Sequence, residues 1–148
     1  MYSFMPYLRN NIFLVSLILI TLGCKEKHSA PEETTPIYES QEFLDFYNKY
    51  STDSLFQMQH TVFPLEGMKS PTDSTTIDPD FRWNENEWVL HSAFNDANGD
   101  FTREFVEVGG IVFEFISDLS GTFTMERRFA KLSSGWHLIY YREMGKYQ

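Results

Sequence analysis

The stretch from Phe101 to Leu132 reads FTREFVEVGGIVFEFISDLSGTFTMERRFAKL. Apolar and polar side chains alternate along it, and turn residues interrupt the alternation at Gly109-Gly110 and at 118–121. A period of two with regularly spaced glycine turns is typical of antiparallel strands joined by hairpins. The pattern extends from Trp88 to the C-terminus, where we expect five antiparallel strands.

Two short turns set the register that we expect in this sheet. Asn98-Gly99 and Gly109-Gly110 suit two-residue hairpin turns, because positive φ costs glycine nothing and asparagine little. The expected cross-strand pairs are Phe94 with Arg103 and Ser92 with Phe105 around the first turn, and Val106 with Phe113 and Val108 with Ile111 around the second.

Both faces of this sheet are expected to be apolar. A meander with one solvated face shows a polar face, so both faces here need cover, and the N-terminal helices suffice for one. We expect a second copy of the protein to cover the outer face; the alternative is that the loop 66–87 folds over it. The expected faces include Val106, Phe113, Trp136 and Leu138 on one side, and Glu114, Arg127, Phe129 and Tyr141 on the other.

The region ahead of the sheet has helical spacing. Its aromatic residues recur at i, i+3, i+4 and i+7 behind the N-cap candidate Ser40, which predicts an amphipathic helix. A second, shorter helix is expected to begin at Asp53. The segment 61–65 is expected to be extended, and the polar segment 66–80 to form a mobile loop. The aromatic residues of the first helix are Phe43, Phe46, Tyr47 and Tyr50.

Composition excludes several classes of protein. The chain has 148 residues, with 12 Lys and Arg against 21 Asp and Glu, for a formal net charge of −9. This acidic field opposes nucleic-acid binding, which needs clustered positive charge. The single cysteine excludes a disulfide framework, and the aromatic content excludes disorder. The chain length fits one domain.

The N-terminal segment has the layout of a signal peptide. Residues 1–23 contain the charged residue Arg9 and then an apolar run of 11 residues, Ile12–Leu22. As a helix this run would rise only about 16 Å, roughly half of a hydrocarbon core, so it predicts export rather than a permanent span. Residues 24–39 contain prolines and mixed charge and are expected to form a flexible tether.

The end of the signal peptide, Thr21-Leu22-Gly23-Cys24, resembles the lipobox of bacterial lipoproteins. The resemblance implies cleavage before Cys24 and lipid attachment to it, so that the membrane is a partner through an N-terminal lipid. Lys25 rather than Asp follows the cysteine, which by resemblance implies the outer membrane of the cell envelope, on its periplasmic or surface face. The alternative is a plain secreted protein with a structural cysteine.

The order of elements resembles the nuclear-transport-factor-two-like, or ketosteroid-isomerase-like, fold. The segments 43–46, 53–57 and 63–65 also resemble the opening of an uncharacterised family of bacterial lipoproteins with that fold. The resemblance covers residues 40–148. It implies an α+β domain in which N-terminal helices pack on a curved antiparallel β-meander, a cone-like fold around a pocket, often as a homodimer. It does not imply catalysis.

Charged and phenolic side chains interrupt the aromatic second face and are the candidate ligand-binding residues. Arginine at the floor of an aromatic cavity would orient a ligand carboxylate or phosphate. The alternative is an exposed ion pair at the sheet rim, since Glu114 and Arg127 are expected to lie diagonally across neighbouring strands. The candidates are Arg103, Glu114, Arg127 and Tyr141.

These features favour a non-catalytic domain that binds a small apolar or amphipathic ligand. The alternative is an envelope protein–protein interaction module that uses an apolar sheet face. Isomerase chemistry needs a carboxylate base, a tyrosine and a protonated aspartate, and no such trio is matched here. Glu114 with Tyr141 comes nearest, and His91 with Glu104 is expected to be a surface pair. We therefore predict no catalytic residue.

Metal and cofactor sites are not expected either. The segment 95–100 is rich in Asn and Asp, but a calcium loop with Gly99 at its sixth position would begin at Phe94, which has no ligand oxygen. The hairpin interpretation uses the same residues without that misfit. The four histidines show no paired metal-ligand spacing, and no phosphate-binding glycine loop occurs.

Overall fold

The computed structural model describes residues 35–70 and 78–146. The predicted signal peptide, the lipid attachment site at Cys24 and the tether up to residue 34 lie outside the described residues. Those that are described belong to one compact unit. Within these two ranges, no helix is both long and apolar enough to cross a membrane.

Two helices open the domain, as the aromatic spacing predicts. Helix α1 spans Gln41–Thr52 and helix α2 spans Ser54–Gln59. Ser40 Oγ accepts a hydrogen bond from the backbone N–H of Phe43 at 3.3 Å, and Asp53 Oδ1 accepts from Phe56 N–H at 3.0 Å. Both predicted N-caps are confirmed, because their oxygens satisfy amides that the first turn leaves without a partner.

Six strands form one sheet in the order β2-β1-β6-β5-β4-β3. Strand β1 pairs in parallel with β6, whereas every other neighbouring pair is antiparallel. The fold is therefore the predicted α+β arrangement of N-terminal helices on a largely antiparallel meander. The strands are β1 Thr61–Met68, β2 Arg82–Trp83, β3 Phe101–Val108, β4 Ile111–Asp118, β5 Phe123–Leu132 and β6 Gly135–Lys146.

The hairpin at Gly109-Gly110 is confirmed, with Val106 opposite Phe113 and Val108 opposite Ile111. Both glycines have positive φ, at 60° and 80°, as a tight hairpin turn requires.

The hairpin predicted at Asn98-Gly99 is wrong. Residues 88–100 contain no strand, so the meander has four strands rather than five, and Phe94 and Ser92 have no ladder partners. Gly99 N–H instead bonds the carbonyl of Asp96 at 3.4 Å, and Asp96 Oδ1 accepts from Asp100 N–H at 2.9 Å. The aspartate side chain holds a local turn in place of a strand ladder.

Strand β1 continues into the segment that was predicted to be a loop. Residues 66–68 pair with β6, and Glu66 also pairs with Arg82 on β2. Gly67 makes this approach possible, because a Cβ there would lie 2.0 Å from the Tyr141 carbonyl oxygen and 2.6 Å from Trp83 Nε1. Without that Cβ, Trp83 Nε1–H donates to the Tyr141 carbonyl at 3.0 Å.

The last residues of the predicted tether belong to the folded domain. Ile37–Glu39 form a short 3₁₀ helix. Tyr38 stacks on Phe105 of β3 with ring centroids 6.0 Å apart, and Ile37 N–H donates to Glu107 Oε2 at 2.7 Å. These contacts make residues 37–39 part of the folded domain, which the sequence predicts to begin at residue 40.

The core lies between α1 and the sheet. Phe43 and Phe46 pack edge-on against Phe129 of β5, with ring centroids 5.9 and 5.8 Å away. Trp136 and Leu138 of β6 are buried in the same core, so their predicted assignment to the opposite face is wrong. The β5–β6 register shifts between Arg128 and Phe129, and a shift of one residue exchanges the two faces of a strand.

Candidate functional site

A buried ion pair joins β4 and β5 on the sheet face that meets α1. Arg127 Nε–H donates to Glu114 Oε2 at 2.7 Å, and the two side chains are 2% and 0% exposed. The residues lie directly opposite each other, so the predicted diagonal arrangement is wrong. The alternative of an exposed pair at the rim is also wrong, since both side chains belong to the interior.

Tyr47 of α1 completes this pair. Its hydroxyl donates to Glu114 Oε1 at 2.5 Å and accepts from Arg127 Nη2 at 3.1 Å. Burial raises the pKa of Tyr47 to about 12, against the opposing effect of Arg127. Each Glu114 oxygen thus has a donor, and the guanidinium charge is neutralised inside the protein. Arg127 is not free to hold a ligand carboxylate as predicted.

His91 lies at the end of the Arg127 guanidinium. Its Nδ1 is 3.5 Å from Arg127 Nη1, and burial together with the Arg127 charge lowers the His91 pKa to about 3. His91 is therefore neutral at physiological pH. Arginine can only donate, so Nδ1 is the acceptor and Nε2 carries the ring proton. The predicted pair with Glu104 does not form, because Glu104 is exposed on β3.

The side chain of Gln57 fixes the position of His91. Gln57 is 1% exposed, and its amide oxygen accepts from His91 N–H at 2.7 Å. Its amide nitrogen donates to the His91 carbonyl at 2.8 Å and to the Tyr50 carbonyl at 2.8 Å. The side chain thus bonds the backbone of residue 91 as a neighbouring strand would. This role of Gln57 was not predicted from the sequence. The one signal for it was a glutamine inside a short apolar helix.

A cavity of about 210 Å³ lies beside His91. Three aromatic rings surround it: Trp83 of β2, Tyr141 of β6 and Trp88 from the segment before β3. Tyr141 is 5.3 Å from each tryptophan ring, and the two tryptophans are 6.4 Å apart. Val89, His91 and Glu143 complete the lining. Burial and the Glu143 charge raise the pKa of Tyr141 to about 12, so its hydroxyl stays protonated.

The four predicted site residues have three different surroundings, although Arg127 lies opposite Tyr141 in the β5–β6 ladder. Glu114 and Arg127 are together in the buried pair, and Tyr141 lines the cavity. Arg103 is exposed on β3 and lies over the rings of Tyr47 and Phe105, with centroid distances of 5.8 and 5.2 Å. The sequence analysis missed the two tryptophans of the cavity, because Trp83 sits on a two-residue strand and Trp88 was assigned to a strand that does not form.

Within 35–70 and 78–146, no group of three or more His, Cys, Asp or Glu residues could hold a metal ion.

We expect acid to destabilise the domain through His91. The ordinary histidine pKa of 6.5 falls to about 3 in the fold. Between these pH values the unfolded chain binds a proton that the folded chain excludes, so the free energy of unfolding decreases as the pH falls from 6.5. The slope from this group is at most about 1.4 kcal/mol per pH unit.

Urea unfolding at pH 7, 5 and 4 measures this effect. His91→Gln should show a shallower loss of stability on acidification than the unchanged chain, whereas Leu119→Ala, at a position that is 70% exposed, should keep the full loss. Equal slopes for the unchanged chain and His91→Gln would contradict the assignment.

Comparisons with known proteins agree with the fold. No family model and no curated protein matches this sequence. Among solved structures, an NTF2-like protein from Bacteroides fragilis NCTC 9343 is 20% identical with a TM-score of 0.50, over 70% of this chain and 47% of that one. The chain thus spans about half the length of that protein. An NTF2-like protein of unknown function from Shewanella baltica OS155 is 16% identical with a TM-score of 0.38, over 67% and 84%.

Proposed function

We propose that this chain, which has the NTF2-like fold, is a membrane-anchored lipoprotein whose domain binds a small apolar or amphipathic molecule without transforming it. The cavity walled by Trp83, Trp88 and Tyr141 carries the proposal. Its volume of about 210 Å³ suits one ring-sized group, since an apolar cavity of about 150 Å³ is enough to hold benzene. Concave aromatic sites with a few polar groups are the usual form of small-molecule sites.

The ionisable groups near the cavity support binding rather than catalysis. General acid–base catalysis needs a group whose pKa lies near the working pH. His91 has a pKa of about 3 and Tyr141 a pKa of about 12, so neither exchanges a proton near neutrality. Glu114 is fully buried, and both of its oxygens already accept hydrogen bonds.

Anchoring rests on the sequence of the export segment. Cleavage before Cys24 would leave that residue at the N-terminus with its lipid, and Lys25 favours the outer membrane. The sequence places twelve residues between Cys24 and Ile37, where the 3₁₀ helix begins, and these would link the lipid to the domain. Labelling of producing bacteria with radioactive palmitate should mark the chain, and Cys24→Ser should abolish the label.

Native mass spectrometry of the chain purified from producing cells tests the binding function. We expect a retained small molecule on the unchanged chain and its loss from Trp88→Leu, because the indole forms one wall of the cavity. Leu119→Ala is the control, since Leu119 is 70% exposed in the turn between β4 and β5. The same mass on Trp88→Leu, or a bare unchanged chain, would contradict the proposal.

A second candidate function is protein interaction through the outer face, defined as the β4 side chains Ile111, Phe113 and Phe115. These residues alternate with buried ones and remain partly exposed. Phe113 and Phe115 stack with ring centroids 6.2 Å apart, which makes an apolar surface suited to a second copy of the chain. A doubled mass in the same spectra, lost in Phe113→Glu, would support a homodimer.

A further inference from the structure

The planes of the three aromatic rings that line the cavity are steeply inclined to one another. Trp88 stands at 84° to Tyr141, and Trp83 stands at 78° to Trp88 and at 46° to Tyr141. Rings at such angles pack edge to face rather than in a stack, and each of the three contributes part of the cavity lining. Aromatic faces are electron-rich and attract cations, and tryptophan is the strongest of them. We call these three residues the aromatic cage.

Elsewhere in the domain, the protein places its own cations over aromatic rings. Lys49 Nζ lies 4.4 Å from the centroid of Phe56, and the Arg128 guanidinium lies 3.9 Å from that of Tyr140. Each ring of the cage also packs against neighbouring rings, and the His91 ring centroid lies 4.5 Å from that of Tyr141 and 4.7 Å from that of Trp88. A cation supplied by a ligand would therefore meet the parts of the three rings that line the cavity.

A carboxylate adds negative charge to the cage. Glu143 lines the cavity, and its Oε2 accepts from Ser70 N–H at 2.9 Å, which holds it in place. The Glu143 charge acts on Tyr141 more strongly than the opposite charge of Arg127 does. The chain's net charge of −9 adds a field that attracts cations.

We infer that the aromatic cage takes a small organic cation with an alkylammonium group, which lies against Trp83, Trp88 and Tyr141 and beside the Glu143 carboxylate. This inference rests on the proposed binding function and names the chemical class of its ligand. The sequence predicts a ligand whose carboxylate or phosphate group is held by Arg127, whereas this inference names a cationic ligand.

Two probes of nearly the same shape test the charge requirement. Choline carries a trimethylammonium group, and 3,3-dimethylbutan-1-ol carries the uncharged carbon equivalent. The full chain in maltoside detergent is titrated with each and followed by tryptophan fluorescence, since two of its three tryptophans belong to the cage. We expect choline to bind at least about tenfold more tightly, which corresponds to about 1.4 kcal/mol.

Two substitutions separate the contributions of the rings and the carboxylate. Trp88→Leu should abolish the choline response, with circular dichroism verifying that the variant is folded. Glu143→Gln should weaken choline by about three- to tenfold and leave the uncharged probe unchanged, because it removes charge with little change of shape. Glu104→Gln, on the exposed part of β3, is the matched control and should change neither titration.

Each result of these titrations either supports or overturns the inference. Equal affinity for the two probes would overturn the ammonium assignment and leave small-molecule binding in place. No response to choline would overturn it as well, and the mass spectrometry described above would then decide the binding function separately. A choline preference that Glu143→Gln leaves intact would refute the role of the carboxylate.

Discussion

Arg127→Met is expected to lower the free energy of unfolding by about 3–5 kcal/mol, which is enough to unfold a marginally stable domain. The reason is Glu114, which is 0% exposed and would lose its guanidinium partner in the protein interior. Tyr47 donates to one Glu114 oxygen, but a single neutral donor does not replace a cation at 2.7 Å. Urea unfolding at pH 7 measures the loss.

A triple variant separates the effect of the buried charge on stability from the effect of lost packing. Arg127→Met together with Glu114→Leu and Tyr47→Phe removes both charges and the hydroxyl that would lose its partners. Apolar replacement of a buried ion pair is often neutral, so we expect the triple variant to recover to within about 2 kcal/mol of the unchanged chain. A triple variant as unstable as Arg127→Met would show that packing, and not charge, causes the loss.

An exposed pair supplies the control for both variants. Lys131 Nζ lies 2.6 Å from Glu42 Oε1, with side chains 52% and 60% exposed. Lys131→Met should change the stability by less than about 1 kcal/mol, because solvent screens exposed ion pairs. A loss comparable to that of Arg127→Met would contradict the dependence on burial.

Gln57→Leu is expected to release the segment 88–95 from α2 and to abolish ligand binding. The substitution leaves the N–H and C=O of His91 without the amide that now bonds both, and it removes a donor from the Tyr50 carbonyl. Unpaired polar groups of this kind cost about 1–3 kcal/mol each when buried. Since Trp88 lies on the released segment, the aromatic cage would lose one wall.

Hydrogen exchange followed by mass spectrometry measures this release. Peptides covering 88–95 should exchange at least about tenfold faster in Gln57→Leu, a change of about 1.4 kcal/mol in local opening. Gln59→Leu is the matched control, because Gln59 is exposed two residues away on the same helix. Unchanged exchange in Gln57→Leu would mean that other contacts hold the segment.

Features that depend on residues close together in the chain follow from the sequence alone. The spacing of Phe43, Phe46 and Tyr50 defines the buried side of α1, and Ser40 and Asp53 cap the helices through amides three residues away. The turn at Gly109-Gly110 sets the register of β3 and β4 because two residues leave a single way to pair the strands. The order of these elements was enough to predict the NTF2-like fold.

The site depends on tertiary contacts, because its residues come from distant positions in the chain and their contacts have no local signal. The register shift beside Phe129 moved Trp136 and Leu138 into the core. The side chain of Gln57 bonds the backbone of His91, which belongs to a segment that the sequence predicts to be a strand. The aromatic cage brings together residues 83, 88 and 141. The sequence predicts that Arg127 binds a ligand, but in the fold its charge is neutralised by Glu114.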